Sequence, residues 1–222
     1  WRYGNPSQVL AERLGIASRE FAVTTMGGNS PQTLVNSTAL AIQRGDLDVA
    51  ILSGGESWRT RMRARKQGVE LDWPKAPEDS MPVLLGEDLV MNHPDEIARQ
   101  ITMPVQVYPM FETAIRAAAG RTPEEQLVRI SELWSRFSQV AADNPKAWIR
   151  DAKTPEELRT VGPANRMIGL PYAKFMNSNN DVDMGAALLM MSVEAAERLG
   201  VPQDRWVFPH SGTDCHEHQF IS

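Results

Sequence analysis

Thr24-Thr25-Met26-Gly27-Gly28-Asn29-Ser30-Pro31-Gln32 reads as the end of a strand, a tight glycine turn and the N-terminus of a helix. Phe21-Ala22-Val23 is a short apolar strand, and Gly27-Gly28 lets the backbone turn without a Cβ penalty. Ser30 suits an N-cap and Pro31 the first helical position. The helix is expected to run to Arg44, with Leu34, Val35, Thr38, Ala39 and Ile42 on one face and Gly45 ending it. Junctions of this kind are where α/β proteins turn backbone N–H groups toward an anion or present a reactive side chain.

The flanking sequence extends the pattern. Asn5-Pro6 opens a short helix that Gly15 closes after Leu14, and Leu47 through Gly55 reads as a strand buried on both faces. Helix, strand, helix, strand at this spacing predicts an α/β fold with a mostly parallel sheet. Near Glu56 the character changes. Trp58 to Lys66 is basic, and Trp73 to Pro82 is loop-like. Asn92-His93-Pro94 starts another helix, and Pro104 and Pro109 are expected to interrupt the segment after it. Thr122-Pro-Glu-Glu125 is a capping box ahead of an amphipathic helix with a Leu127, Ile130, Trp134, Phe137, Ala141 stripe. Thr154-Pro-Glu-Glu157 repeats the device. The sheet pattern resumes with the apolar run Ala186–Met191, a helix capped by Ser192 and stopped by Gly200, and a further strand over Arg205–Pro209. Three regions result: 1–57 as part of an α/β half, 58–170 as a helical loop-domain insertion, and 171–222 as the return of the α/β half and the start of the next segment.

With 222 residues, 42% of them apolar, the chain can bury a core. Its net charge of −5 argues against a dedicated nucleic-acid binder. No run is long enough for a membrane span, and the first residues show no signal-peptide apolar segment. Cys215 is the single cysteine, so no intrachain disulfide forms, which fits a reducing, cytoplasmic setting.

Three ordered segments together resemble the thiolase superfamily, in its acetyl-CoA acetyltransferase and sterol-carrier branch. Asn5-Pro6 through Gln32 is similar to the family's helix, strand and nucleophile turn. Ala41-Ile42 through Glu56 is similar to its helix end, strand and Gly-Gly-x-Glu-like turn. Met176-Asn177-Ser178-Asn179-Asn180 through Gly200 resembles its Asn-Ser-rich loop, apolar strand and closing helix. The resemblance implies a thiolase-like layered fold in which the helical insertion covers a CoA-binding face. It places Gly27 where the family carries its acyl-accepting cysteine, so the turn is kept and the nucleophile is lost. The family's Asn-Glu-Ala-Phe segment, Gly-His-Pro segment and second cysteine motif are also absent from the sequence.

The activity implied is an acyltransferase of acetyl-CoA acetyltransferase type acting on lipid- or sterol-derived thioesters, without the usual cysteine nucleophile. The alternatives are a carbon–carbon lyase working by retro-aldol cleavage and a non-catalytic CoA-binding or interaction subunit. Gly27, Gly28, Asn29 and Ser30 are candidates for holding a thioester oxygen or phosphate on helix N-terminal amides. Asn177, Ser178, Asn179 and Asn180 offer polar groups to a pantetheine arm, or serve their own backbone turn. No catalytic residue is assigned. Coenzyme A thioester is expected as substrate or ligand, with no tightly bound cofactor, and a second copy or a thiolase-like subunit as partner.

Other clusters carry weaker signals. Arg59, Arg61, Arg63, Arg65 and Lys66 suit CoA phosphates or a solvated face. His210, Asp214, Cys215, His216, Glu217 and His218 match no zinc spacing, so no metal is expected. Tyr172 and Lys174 are placed to reach a ligand, but nothing in the sequence distinguishes them from a polar loop.

Overall fold

Glycine stops, proline starts and capping boxes cut this chain into short elements. The computed structural model describes residues 4–87, 90–215 and 220. These fall into two compact units, one drawn from 1–90 with 180–218 and the other from 91–179 with 219–222. The contact pattern thus divides at Met91 and Asn179, whereas composition placed the divisions at 58 and 170.

In the first unit, α1 (Pro6–Leu14) starts on Asn5, whose Oδ1 accepts the Gln8 N–H at 3.1 Å, and ends on Gly15 at φ +66°. Asn5 is also fully buried and donates to Ser80 Oγ at 2.9 Å, which ties the proline-rich 73–82 loop to the helix. β1 (Ala22–Thr24) is one residue displaced from the expected strand. α2 (Ser30–Arg44) buries the face foreseen for it, with Thr38 deepest, and Gly45 stops it in the left-handed region. β2 (Val49–Ser57) runs directly into α3 (Trp58–Gln67), and β3 (Val83–Leu85) returns to pair with β1 in parallel.

The second unit holds α4 (Pro94–Ala98), α5 (Pro104–Ala118), α6 (Pro123–Asp143), α7 (Pro155–Arg159), β4 (Met167–Gly169) and β5 (Tyr172–Ala173). Both capping boxes form. Thr122 Oγ1 accepts Glu125 N–H at 3.2 Å while Glu125 accepts Thr122 N–H at 2.8 Å, and Thr154 and Glu157 repeat the pair. Ile130 and Leu158 meet Ala173 and Met176 in the buried core, with Leu127, Trp134 and Tyr172 at its edge. Phe137, from the same stripe, stays exposed.

α5 corrects the expectation that Pro104 and Pro109 break the segment. Pro104 opens the helix and Pro109 lies inside it. Without a Pro109 N–H the Val105 carbonyl lacks its helical donor, and Gly169 of β4 packs there. A Cβ on Gly169 would lie 2.8 Å from that carbonyl oxygen and 3.2 Å from Pro109 Cγ.

The chain returns to the first unit with β6 (Asp183–Met191) and α8 (Val193–Arg198), capped by Ser192 Oγ on Ala195 N–H at 3.1 Å. β6 pairs antiparallel with β2 along its whole length, from Val49 opposite Met191 to Ser57 opposite Asp183. Among the described residues the β1–β3 pair is parallel while β2–β6 and β4–β5 are antiparallel, so the mostly parallel sheet is not what forms. The reason is geometric. The chain leaves β2 at Ser57 and re-enters beside it at Asp183, so the whole intervening segment acts as one long hairpin connection.

β2 also departs from burial on both faces. Ala50 and Leu52 are half-buried where α2 packs, while Val49 and Ile51 on the other face are exposed, as are Leu188 and Leu189 of β6. The strand expected over Arg205–Pro209 does not form. Gln203–Arg205 is a 3₁₀ turn, and the residues after it find no strand edge to pair with.

Candidate functional site

The Gly27 turn sits between β1 and α2, on the backbone path that the β1–β3 pairing fixes. Thr25 N–H still donates to Leu85 O at 3.0 Å, so the strand register extends one residue past β1. The helix begins earlier than expected. Ser30 is already helical, its N–H donates to Gly27 O at 3.2 Å, and Asn29 takes the cap position without a side-chain cap bond. Ser30 Oγ instead donates to Thr25 O at 3.4 Å. Its hydroxyl therefore braces the turn and is not engaged by a general base.

The N–H groups of Gly28 and Asn29 have no acceptor among the described residues, and both residues are exposed. Unsatisfied amides ahead of a fifteen-residue helix with its positive dipole end are donors suited to an oxyanion or phosphate. Gly27 is half-buried, and a Cβ there would meet Asn29 Oδ1 at 2.9 Å and Ser30 Oγ at 3.1 Å. Both are movable side-chain ends, so the turn accepts a side chain only by displacing them.

An apolar groove of about 520 Å³ lies beside β1 and β3, lined by Gly4, Val23, Pro77, Met81, Pro82 and Leu84 among others. Val23 is four residues before Gly27, at most about 14 Å of extended chain.

The Asn-rich loop is divided. Asn177, Ser178 and Asn179 belong to the second unit and Asn180 to the first, as do Gly27, Gly28, Asn29 and Ser30. Asn177 Nδ2 donates to Ala173 O at 2.8 Å, and Asn180 O accepts Val182 N–H at 3.0 Å. Ser178, Asn179 and Asn180 are exposed. At Asn177 the side chain thus serves its own backbone, while the next three residues face outward.

Within the His/Cys cluster, Asp214 is held by side chains of α2. Asp214 Oδ1 accepts Thr33 Oγ1 at 2.7 Å and its Oδ2 accepts Asn36 Nδ2 at 2.8 Å. Gln32 Nε2 donates to Asn36 Oδ1 at 2.9 Å. This places Asp214 against the first turns of α2, just past the Gly27 turn, and the next residue, Cys215, is exposed. Thr33 and Asn36 escaped the sequence reading because they are ordinary polar positions on a helix. His216, Glu217 and His218 lie outside the described residues. Among the described residues no group of three or more His, Cys, Asp or Glu side chains is arranged to hold a metal ion.

Tyr172 donates its hydroxyl to Glu112 Oε2, and Gln126 Nε2 donates to the other Glu112 oxygen. Arg121 completes the chain with a 3.0 Å bond to Gln126 Oε1. Burial, reinforced by the Glu112 carboxylate, pushes the Tyr172 phenol far above its ordinary range, so it is a fixed neutral donor. Lys174 is exposed, and its backbone N–H donates to Arg166 O at 2.9 Å.

No helix among the described residues is long and apolar enough to cross a membrane. No protein-family model and no curated protein matches the chain. Among solved structures it is similar to a monomeric SCP2-thiolase like protein type 1 from Mycobacterium smegmatis, with 30% identity and a TM-score of 0.72. The match covers 93% of this chain, which spans only 38% of that chain's length. The helix and strand content together with this similarity support a thiolase-like α/β fold and a place for the chain within the thiolase-like superfamily.

Proposed function

We propose that the chain binds an acyl-CoA thioester, of lipid or sterol-derived type, at the turn leading into α2. The observation that carries this reading is the pair of unsatisfied, exposed amides at Gly28 and Asn29, at the positive end of a long helix. Backbone N–H groups of this kind stabilise a thioester oxygen as it gains negative charge. The apolar groove beside Val23 and Leu84 offers a place for the acyl portion, and the exposed Asn180 of the same unit offers a polar group for a pantetheine amide. In a thiolase-type acyl transfer a thiolate would take the acyl group. Gly27 supplies none, so this chain's own contribution is binding and polarisation of the carbonyl, in a cytoplasmic setting.

A second reading, an interaction subunit for a like copy or a thiolase-like partner, draws on the exposed apolar face of the β2–β6 ribbon. Calorimetric titration with acetyl-CoA, a long-chain acyl-CoA and free CoA separates the two. Saturable acyl-CoA binding that weakens at least ~10-fold, or about 1.4 kcal/mol, in Gly28→Trp supports the site. A folded chain that binds none of the three ligands leaves the subunit reading.

A further inference from the structure

Five of the ten residues of α3 are cationic, and none is acidic. Setting those five aside, 18 of the chain's 23 Lys and Arg remain against its 28 Asp and Glu. The helix is therefore a concentrated positive patch on an otherwise acidic protein. Helical spacing divides the charges: Arg59, Arg63 and Lys66 line one flank, and Arg61 and Arg65 line the other. Between the flanks stand Trp58 and Met62, which are 41% and 39% exposed. Thr60 and the buried Ala64 occupy the opposite side, and α3 packs against β6.

No carboxylate among the described residues lies within ion-pair distance of Arg61, Arg63, Arg65 or Lys66. Arg61 instead lies over the Trp58 ring, 5.7 Å from its centroid. Side chains on opposite flanks of one helix diverge, so they do not converge on a compact phosphate, and CoA phosphates are a poor fit. A lipid surface would require a wider apolar face than two residues and would repel the acidic remainder of the molecule. An apolar ridge bracketed by like charges is the arrangement one helix offers to another whose seam is bracketed by the opposite charge. Four of the five cations are arginine, whose planar fork pairs with carboxylates in two-point geometry.

We propose that the outer face of α3 docks an acidic amphipathic helix of a partner protein, its apolar seam on Trp58 and Met62 and its carboxylates on the two arginine flanks. This docking is independent of acyl-CoA binding at the Gly27 turn. The test is fluorescence anisotropy with a labelled synthetic helical peptide carrying a leucine seam flanked by glutamates. Saturable binding is expected, weakening at least ~10-fold between ~0.05 M and ~0.5 M salt. A loss of similar size is expected in Arg61→Glu/Arg65→Glu, and none in the acyl-CoA titration of the same variant. If that double variant does not fold, Arg65→Gln with the salt series and a lysine-flanked control peptide gives the same reading. Absence of peptide binding, retention of binding in the charge variants, or capture of phosphatidylserine vesicles by these arginines without peptide binding overturns the proposal.

Discussion

Asn165 shows how much one side chain organises. It is buried, its Nδ2 lies within hydrogen-bond reach of Leu158 O and Thr160 O at 3.0 Å and of Glu157 O at 3.2 Å, and its Oδ1 accepts Phe175 N–H at 2.9 Å. It thereby closes the C-terminal end of α7 and holds the turn that presents Met176 to the core. Asn165→Ala strands these backbone groups without partners and is expected to cost about 2–3 kcal/mol. Chemical denaturation measures it, and a midpoint within error of the natural chain would refute the stapling role. Asn165 went unnoticed in the sequence because an isolated Asn after Gly-Pro reads as a surface turn. Gly27 was legible as a tight turn from the residues alone, but the displaced cap at Asn29 was not. Propensity favours Ser30 as cap, and only the bond from its hydroxyl to Thr25 O shows it drawn inward.

At the scale of elements, the start of α3 is held by a residue from another strand. Asp183, at the first position of β6, accepts Thr60 N–H at 3.1 Å and Thr60 Oγ1 at 2.7 Å. These two bonds, aided by the charge of Arg59, hold the Asp183 carboxyl below the usual carboxylate range. A carboxyl lowered on folding stabilises the structure above its unfolded pKa of about 3.9 and loses that contribution as pH falls through the lower folded value. Thr60→Val is therefore expected to raise the Asp183 pKa toward about 3.9, read by NMR titration of the side-chain carboxyl, and to flatten the stability profile below pH ~4. An unchanged pKa would place the cause elsewhere. The capping boxes of α6 and α7 were legible because both partners lie three residues apart. The Asp183–Thr60 cap joins positions far apart in sequence, and no local pattern announces it.

For the whole molecule, the second unit has a core of its own in Ile130, Leu158, Ala173 and Met176, and self-contained capping boxes start α6 and α7. A fragment spanning 91–179 is expected to fold by itself, giving a helical circular-dichroism spectrum and cooperative thermal unfolding. A non-cooperative melt would mean that its order depends on the first unit. The α/β class, the helix of the Gly27 turn and the helical character of the middle region come from local patterns: glycine stops, proline starts, capping pairs and apolar spacing. Those act over a few residues, so the sequence carries them openly. The antiparallel pairing of β2 with β6 and the passage of α5 through Pro109 are different. So are the laying of Asp214 onto Thr33 and Asn36 and the division of the Asn-rich loop between two units. Each of these depends on where distant segments meet, and a one-dimensional pattern does not encode that. Tertiary packing alone decided them, because hydrogen-bond partners and open backbone groups are assigned only once the chain has closed on itself.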